Sequence, residues 1–198
     1  MIWKQVGVRS NCEIIKIYTV SFGMQPAIDP KFDNFYFSHD EDKVVVGKAL
    51  LEALSRSRTL EENDPDHDLL CWINLKDTRY KTDLENELRK FKYKNKTALY
   101  KNMQGCGVVL TEEKIRFSPL VHEKLEGWSG FKKNERRDFF IPSDSSPGIV
   151  GAAVKYSIAR CTGRGADLVS EKLFPDGVPE SFEVYLESLG LRLIPIKQ

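Results

Sequence analysis

GIVGAAVKYSIARCTGRGADLVSEKLFPDGVPESFEVYLESLG, running from Gly148 to Gly190, reads as helix, stop, helix, turn and helix. Ile149, Ala153, Tyr156 or Ser157, and Ala159 or Arg160 recur at helical spacing, with Val150, Val154 and Ile158 on the adjoining flank. An apolar arc that wide predicts a helix buried on most of its surface. Gly163 and Gly165 end it, because glycine accepts the left-handed geometry of a helix terminus. Asp167 to Phe174 can form a short second helix. Pro175-Asp176-Gly177 is a turn, and Pro179 stands where a helix start tolerates a missing amide proton. Phe182, Tyr185, Leu186 and Leu189 then give an i, i+3, i+4, i+7 stripe closed by Gly190. These residues are caps, spacers and core, and none carries chemistry.

The first helix has an echo upstream. At a constant offset of 104 residues, Phe35 to Arg58 lies over Phe139 to Thr162 without a gap. Phe35 matches Phe139, Val46-Gly47 matches Val150-Gly151, Ala49 matches Ala153 and Arg56 matches Arg160. Each copy is an aromatic strand, a polar turn and an amphipathic helix. Such a pair predicts a two-copy strand–helix pseudo-repeat, about 35–58 and 139–162, in which two similar halves share one sheet or one core; the spacing is too long for a solenoid.

The remaining segments supply strands. Ile2 to Val8, Cys12 to Phe22, Phe32 to Phe37, Leu69 to Leu75, Asp138 to Ile141 and Leu191 to Ile196 are candidates. Gly105 to Leu110 and Lys114 to Leu120 form a hairpin across Thr111-Glu112-Glu113. Ser38 or Asp40 can cap the first helix of the echo, which runs to about Arg58. Gly23 to Pro30 is a loop, and Thr78 to Phe91 is a helix. Strands and helices mix without strict alternation, so the expected fold is α+β: a mixed, largely antiparallel sheet packed with helices. At 198 residues, 41% apolar and 30% charged, the chain (1–198) is expected to be a single globular domain with a sizeable core. The formal charge of +1 gives no global field for nucleic acid or membrane. There is no signal-peptide pattern and no apolar run of membrane-spanning length. Cys12, Cys71, Cys106 and Cys161 are scattered, without C-x-x-C spacing, as expected of reduced thiols in a cytoplasmic protein.

Charge is balanced overall but uneven. His39 to Asp68 holds nine acidic and four basic residues, and Lys76 to Lys101 holds nine basic and four acidic. The acidic stretch is either a solvated face or a docking surface for a basic partner. Asp64-Pro65-Asp66-His67-Asp68 is the one cluster that could hold a cation, but it lacks the glycine and terminal glutamate of a calcium loop, so no metal and no cofactor is expected. A hydrolase built on that cluster would need such a metal. No nucleophile-elbow, phosphate-loop, zinc-protease or dinucleotide pattern occurs. His39 and His122 are isolated, and a catalytic Cys106–His122 pair has no sequence signature. Lys92, Tyr93, Lys94, Lys96, Tyr100 and Lys101 interleave cations and rings as a nucleic-acid-binding strip does; lysines lying over an apolar side are the simpler reading.

Several motifs nonetheless resemble one family. These are V-G-x-A-L-L-x-A-L at Val46 to Leu54, L-Y-K-N-M at Leu99 to Met103 with its following hairpin, A-R-C-T-G-R-G-A-D at Ala159 to Asp167, and F-P-D-G-V-P-E-S-F-E-x-Y-L at Phe174 to Leu186. Together, from about Val44 to Gly190, they are similar to the immunity proteins of bacterial contact-dependent growth inhibition (CDI) systems. The resemblance implies an inhibitor and not an enzyme: a cytoplasmic protein that binds the C-terminal toxin domain of a cognate effector, often a nuclease, and blocks it. Neither membrane nor nucleic acid is then a direct partner. An acidic surface would steer a basic toxin, and the expected contacts are Asp40, Glu41, Asp42, Glu61, Glu62, Asp64, Asp66 and Asp68. The alternative is a small nucleic-acid-binding module using the strip from Lys92 to Lys101.

Overall fold

Lys4–Ser10 (β1) and Ile15–Phe22 (β2) pair antiparallel around the turn at Asn11, whose side-chain oxygen accepts from the backbone N–H groups of Glu13 (2.9 Å) and Ile14 (3.1 Å). Gln104–Leu110 (β5) and Lys114–Pro119 (β6) do the same downstream. The two hairpins join through β1 and β5, also antiparallel. Phe35–Phe37 (β4) adds to β2, and Phe139–Pro142 (β9) adds to β6. A short strand, Pro26–Ile28 (β3), also pairs with β2, within a segment expected to be loop. The result is a seven-stranded, wholly antiparallel sheet in the computed structural model, which describes residues 3–23, 25–67 and 78–193. The strand expected over Leu69 to Leu75 lies outside the described residues. Of the strand expected at Leu191 to Ile196, residues 191–193 are irregular and the rest lies outside them.

The registers on either side of the β1–β5 seam are equivalent. Gly7 faces Gly107 at its centre. Val8 pairs with Ile17, and Val108 with Phe117, each residue 100 later. Ile17 pairs with Phe35, and Phe117 with Phe139, the last strand now 104 later. Each arm then continues into a helix: Lys43–Arg56 (α1) and Pro147–Ala159 (α4). The 104-residue echo thus falls on segments that occupy matching places in the two arms.

Side chains alternate across the pleat, so every second strand residue faces the helices. Val6, Val8, Ile15, Ile17, Cys106, Val108, Ile115, Phe117 and Ile141 do so and share one core with Val46, Leu50, Leu54, Val150, Val154 and Ile158. The two helices approach at their glycines: a Cβ on Gly47 would lie 1.8 Å from the Pro147 carbonyl oxygen, and one on Gly151 1.9 Å from that of Lys43. The N-cap of α1 is Asp42, not Ser38 or Asp40; its Oδ1 accepts from Val44 N–H at 2.7 Å. Ser38 instead closes the preceding turn, its carbonyl accepting from Glu41 N–H.

Gly163 and Gly165 take positive φ, but neither ends α4, whose C-cap is Arg160; Gly165 instead caps the start of the next helix, and Thr162–Gly163 (β10) pairs parallel to Val121–Lys124 (β7). Gly127–Ser129 (β8) closes this small sheet around Trp128. Ala166–Leu173 (α5) and Phe182–Ser188 (α6) follow; Ser181, and not a residue at Pro179, caps α6 through Val184 N–H. Phe182 and Tyr185 stack around Tyr156, whose side chain is fully buried, and Phe139 and Phe174 complete the cluster. On the other sheet face, Thr78–Lys90 (α2) and Lys96–Tyr100 (α3) enclose a second core of Ile14, Leu99 and Met103. Among the described residues no helix is long and apolar enough to cross a membrane.

Candidate functional site

The acidic residues singled out from the sequence do not form one patch. Asp40, Glu41 and Asp42 lie at the start of α1, whereas Glu61, Glu62, Asp64 and Asp66 follow its end. Fourteen helical residues separate them, about 21 Å at 1.5 Å per residue. Asp68 lies outside the described residues.

In the first cluster Asp40 is exposed and Glu41 half-buried, while Asp42 caps the helix. Lys155 of α4 reaches across, its Nζ donating to the carbonyls of His39 (2.7 Å) and Glu41 (2.9 Å). Burial and the nearby Lys43 ammonium push the Lys155 pKa down, and the three carboxylates oppose that shift. Lys155 therefore offsets part of the local negative charge, a long-range contact with no local signal in the sequence.

His39, beneath this cluster, is buried. Its Nε2 lies 3.0 Å from Ser10 Oγ, and its Nδ1 is buried without a partner. Burial lowers its pKa below the usual histidine value, aided by Lys155 and Lys172, although backbone contacts at Asn11 and Ile14 act the other way. The unfolded chain therefore takes up this proton first as pH falls. His39's contribution to stability is complete above about pH 6.5, the unfolded value, and is lost as pH drops toward the lower folded value. Urea midpoints should fall between pH 7 and pH 5. His39→Gln should flatten that slope, and an unchanged slope would exclude His39 as its source.

The second cluster is held by non-local chemistry. Leu60 is buried and its N–H donates to Phe22 O at 2.7 Å. Arg58 forks onto Asp29, with Nε to Oδ2 at 2.8 Å and Nη2 to Oδ1 at 3.2 Å, and its Nη1 pairs with Asp66. Lys31 also donates to Asp66, at 2.7 Å. Burial raises the Asp29 carboxyl, but Arg58, the Lys31 N–H and Ser21 outweigh it and leave its pKa below the usual carboxylate value. Hydrogen bonds from Arg58 and Lys31 likewise lower that of Asp66. Asp64 accepts from Asp66 N–H at 3.0 Å, fixing the turn. Asp64 and Asp66 thus shape the loop, and Glu61 and Glu62 are left as its exposed charges. Between the clusters, the outer surface of α1 carries Val44, Val45, Lys48 and Glu52, all exposed.

The basic strip is largely spent on packing. The Tyr93 hydroxyl accepts from Asn11 Nδ2 at 2.8 Å, Tyr100 stacks edge-on against Trp128 at 6.2 Å, and Lys96 pairs with Glu126. The rings that a nucleic-acid platform would present lie against the second core. Buried Glu87 pairs with Lys16 and accepts from Tyr36 Oη at 2.8 Å; these are partners too far apart in sequence to be read together.

Cys106 and Cys161 are both buried. Cys106 donates into the backbone and meets Ser157 Oγ at 2.6 Å, and burial pushes its pKa up to about 12. Burial raises Cys161 to about 11. His122 stacks on Trp128 at 5.2 Å, with its two ring nitrogens 3.0 and 3.3 Å from the carbonyl oxygens of Arg164 and Leu125.

Comparison with known proteins places this architecture. The family model described as "CdiI: CDI immunity protein" matches residues 4–161. The immunity protein CdiI-YPIII of Yersinia pseudotuberculosis is 30% identical over 169 residues, covering 79% of this chain and 94% of the relative. Among solved structures, a protein of unknown function from Neisseria meningitidis superposes with a TM-score of 0.73 at 28% identity, over 81% of this chain and 96% of that one. The CdiA-CT/CdiI toxin and immunity complex from Yersinia pseudotuberculosis gives 0.69 at 26% identity, over 81% and 98%. The chain belongs to the family of CDI immunity proteins. The match starts earlier than the resemblance read from the motifs and stops before α5, the run at Phe174 to Leu186 and α6.

Proposed function

We propose that this protein binds the C-terminal toxin domain of a cognate CDI effector and neutralises it stoichiometrically, as an inhibitor without turnover. The supporting observation is the likeness to a chain of a toxin and immunity complex over 98% of that chain's length, joined to the family match. The toxin is proposed to be a nuclease, met in the cytoplasm, with a basic cleft. Asp40, Glu41 and Asp42 at one end of α1, and Glu61, Glu62, Asp64, Asp66 and Asp68 beyond the other, supply the opposing charge. Glu61, Glu62, Asp40 and Glu41 face the partner; Asp42, Asp64 and Asp66 hold the backbone that presents them. Exposed Val44 and Val45, in the first turn of α1, add apolar contact area beside the Asp40–Asp42 cluster.

The test is calorimetry against the toxin domain encoded immediately upstream, with toxin activity followed in the same samples. One-to-one binding with lost activity is expected. Reversing Asp40, Glu41, Glu61 and Glu62 together to lysine should weaken binding by roughly 10- to 100-fold, mainly through slower association at low salt. Absence of binding by the unaltered protein would overturn the immunity reading; undiminished binding by the variant would overturn these contacts alone.

A further inference from the structure

The sheet face turned away from α1 and α4 carries a pocket of about 210 Å³ between β6 and the loop 130–138. Arg116, Ser118, Gly130, Phe131, Arg136 and Asp138 line it. Ile115 and Phe117 are buried in the helix-side core, so the pleat turns Arg116 between them to the opposite face. Among the described residues no hydrogen bond or ion pair engages the side chains of Arg116, Arg136 or Asp138, and Arg116 Nε is buried with no partner at all. Buried guanidinium N–H groups are ordinarily satisfied, and this one leaves a donor beside an open pocket for an acceptor to meet. Arg116's cross-strand neighbour is Phe140, 45% exposed, with Lys114 Nζ 5.0 Å from its ring centroid.

Resting on the immunity reading, we propose that this pocket is a socket for one carboxylate side chain, Asp or Glu, of the toxin domain, with Phe140 as its apolar shoulder. Two guanidinium groups against one wall carboxylate leave a single positive charge, which complements one carboxylate better than a doubly charged phosphate. The guanidinium fork also matches the two oxygens of a carboxylate. The socket is a contact separate from the acidic clusters, because it opens on the other face of the sheet. The two should therefore weaken binding independently.

Calorimetry of the full chain with the upstream toxin domain tests this. Arg136→Glu and Arg116→Gln should each raise Kd about tenfold or more, as expected for removing one partner of a charged contact. Lys132→Glu, on the same loop but outside the pocket lining, should change Kd less than about threefold. Arg136 is exposed, so its variant keeps the test valid if Arg116→Gln fails to fold. The socket is refuted if Arg136→Glu binds as the unaltered chain does. Equal losses in Lys132→Glu refute it as well, since they mark diffuse charge. So does a loss confined to binding of an RNA oligonucleotide, which marks a phosphate surface. If the unaltered chain does not bind the toxin, the immunity reading and the socket fall together.

Discussion

Gly47→Ala should cost about 3 kcal/mol or more, far above what one methyl group does on an ordinary helix. The added Cβ would sit 1.8 Å from the Pro147 carbonyl oxygen and 2.9 Å from Gly151 N. These are backbone atoms of α4 and cannot swing aside. Only separation of the two helices relieves the clash, and separation opens the layer of Leu50, Ala53, Val150 and Val154 that seals them to the sheet. Gly151→Ala should cost a similar amount, through the Lys43 carbonyl at 1.9 Å. One separation serves both clashes, so the double variant should lose clearly less than the two single losses added. Gly148→Ala, whose Cβ would meet Val44 Cγ2 at 3.7 Å and Ser146 Oγ at 4.0 Å, both ordinary contacts, is the control; it should be neutral or stabilising by up to about 1 kcal/mol. Urea midpoints of the four variants settle the matter. A loss below about 1 kcal/mol for Gly47→Ala would mean that the helices are not held at this crossing.

That crossing shows which kind of information the sequence carries openly. Val46-Gly47 and Val150-Gly151 can be aligned from the letters, because a helix buried against another helix must repeat its small and apolar residues at fixed spacing. Strand β2 is visible as a run of β-branched and aromatic residues, and β1, β5 and β6 as shorter alternations or pairs of apolar residues. Capping is less legible. Ser38, Asp40 and Asp42 are all chemically able to cap α1, and only the backbone geometry selects Asp42. Short strands such as β3 and β8 have three residues each, too few for a period. The candidate site is the least legible part. A run of carboxylates looks like one surface on paper, but α1 stands between its halves, and Arg58 from within the stretch and Lys31 and Lys155 from outside it offset several of its members. The socket at Arg116 has no linear signal at all, since Arg116 and Arg136 meet only through the fold.

Arg58→Met should destabilise the protein by about 3–5 kcal/mol at neutral pH, the cost of leaving a buried carboxylate without its counter-charge. The Asp29 side chain is 0% exposed and Arg58 supplies both arms of its fork. Asp29→Asn should cost less, because a neutral amide still accepts from the Lys31 N–H and leaves only the better-solvated guanidinium unpaired. The pH dependence separates this account from simple loss of packing. In the unaltered protein Asp29 titrates below its unfolded value of about 3.9, so the pair's contribution is complete above that pH and is lost as pH falls through the folded value. In Arg58→Met, burial without the guanidinium drives the carboxyl up instead, and its penalty eases on acidification as the carboxyl takes a proton. The deficit of the variant should therefore shrink between pH 7 and pH 4; a constant deficit would assign the loss to packing. The same variant reaches the proposed contact surface, because the remaining arm of Arg58 holds Asp66 and with it the turn that presents Glu61 and Glu62. Toxin binding should weaken although neither glutamate is altered. Restoring the arginine alone should recover both stability and affinity, whereas reversal of Glu61 and Glu62 should lower affinity and leave the urea midpoint where it was.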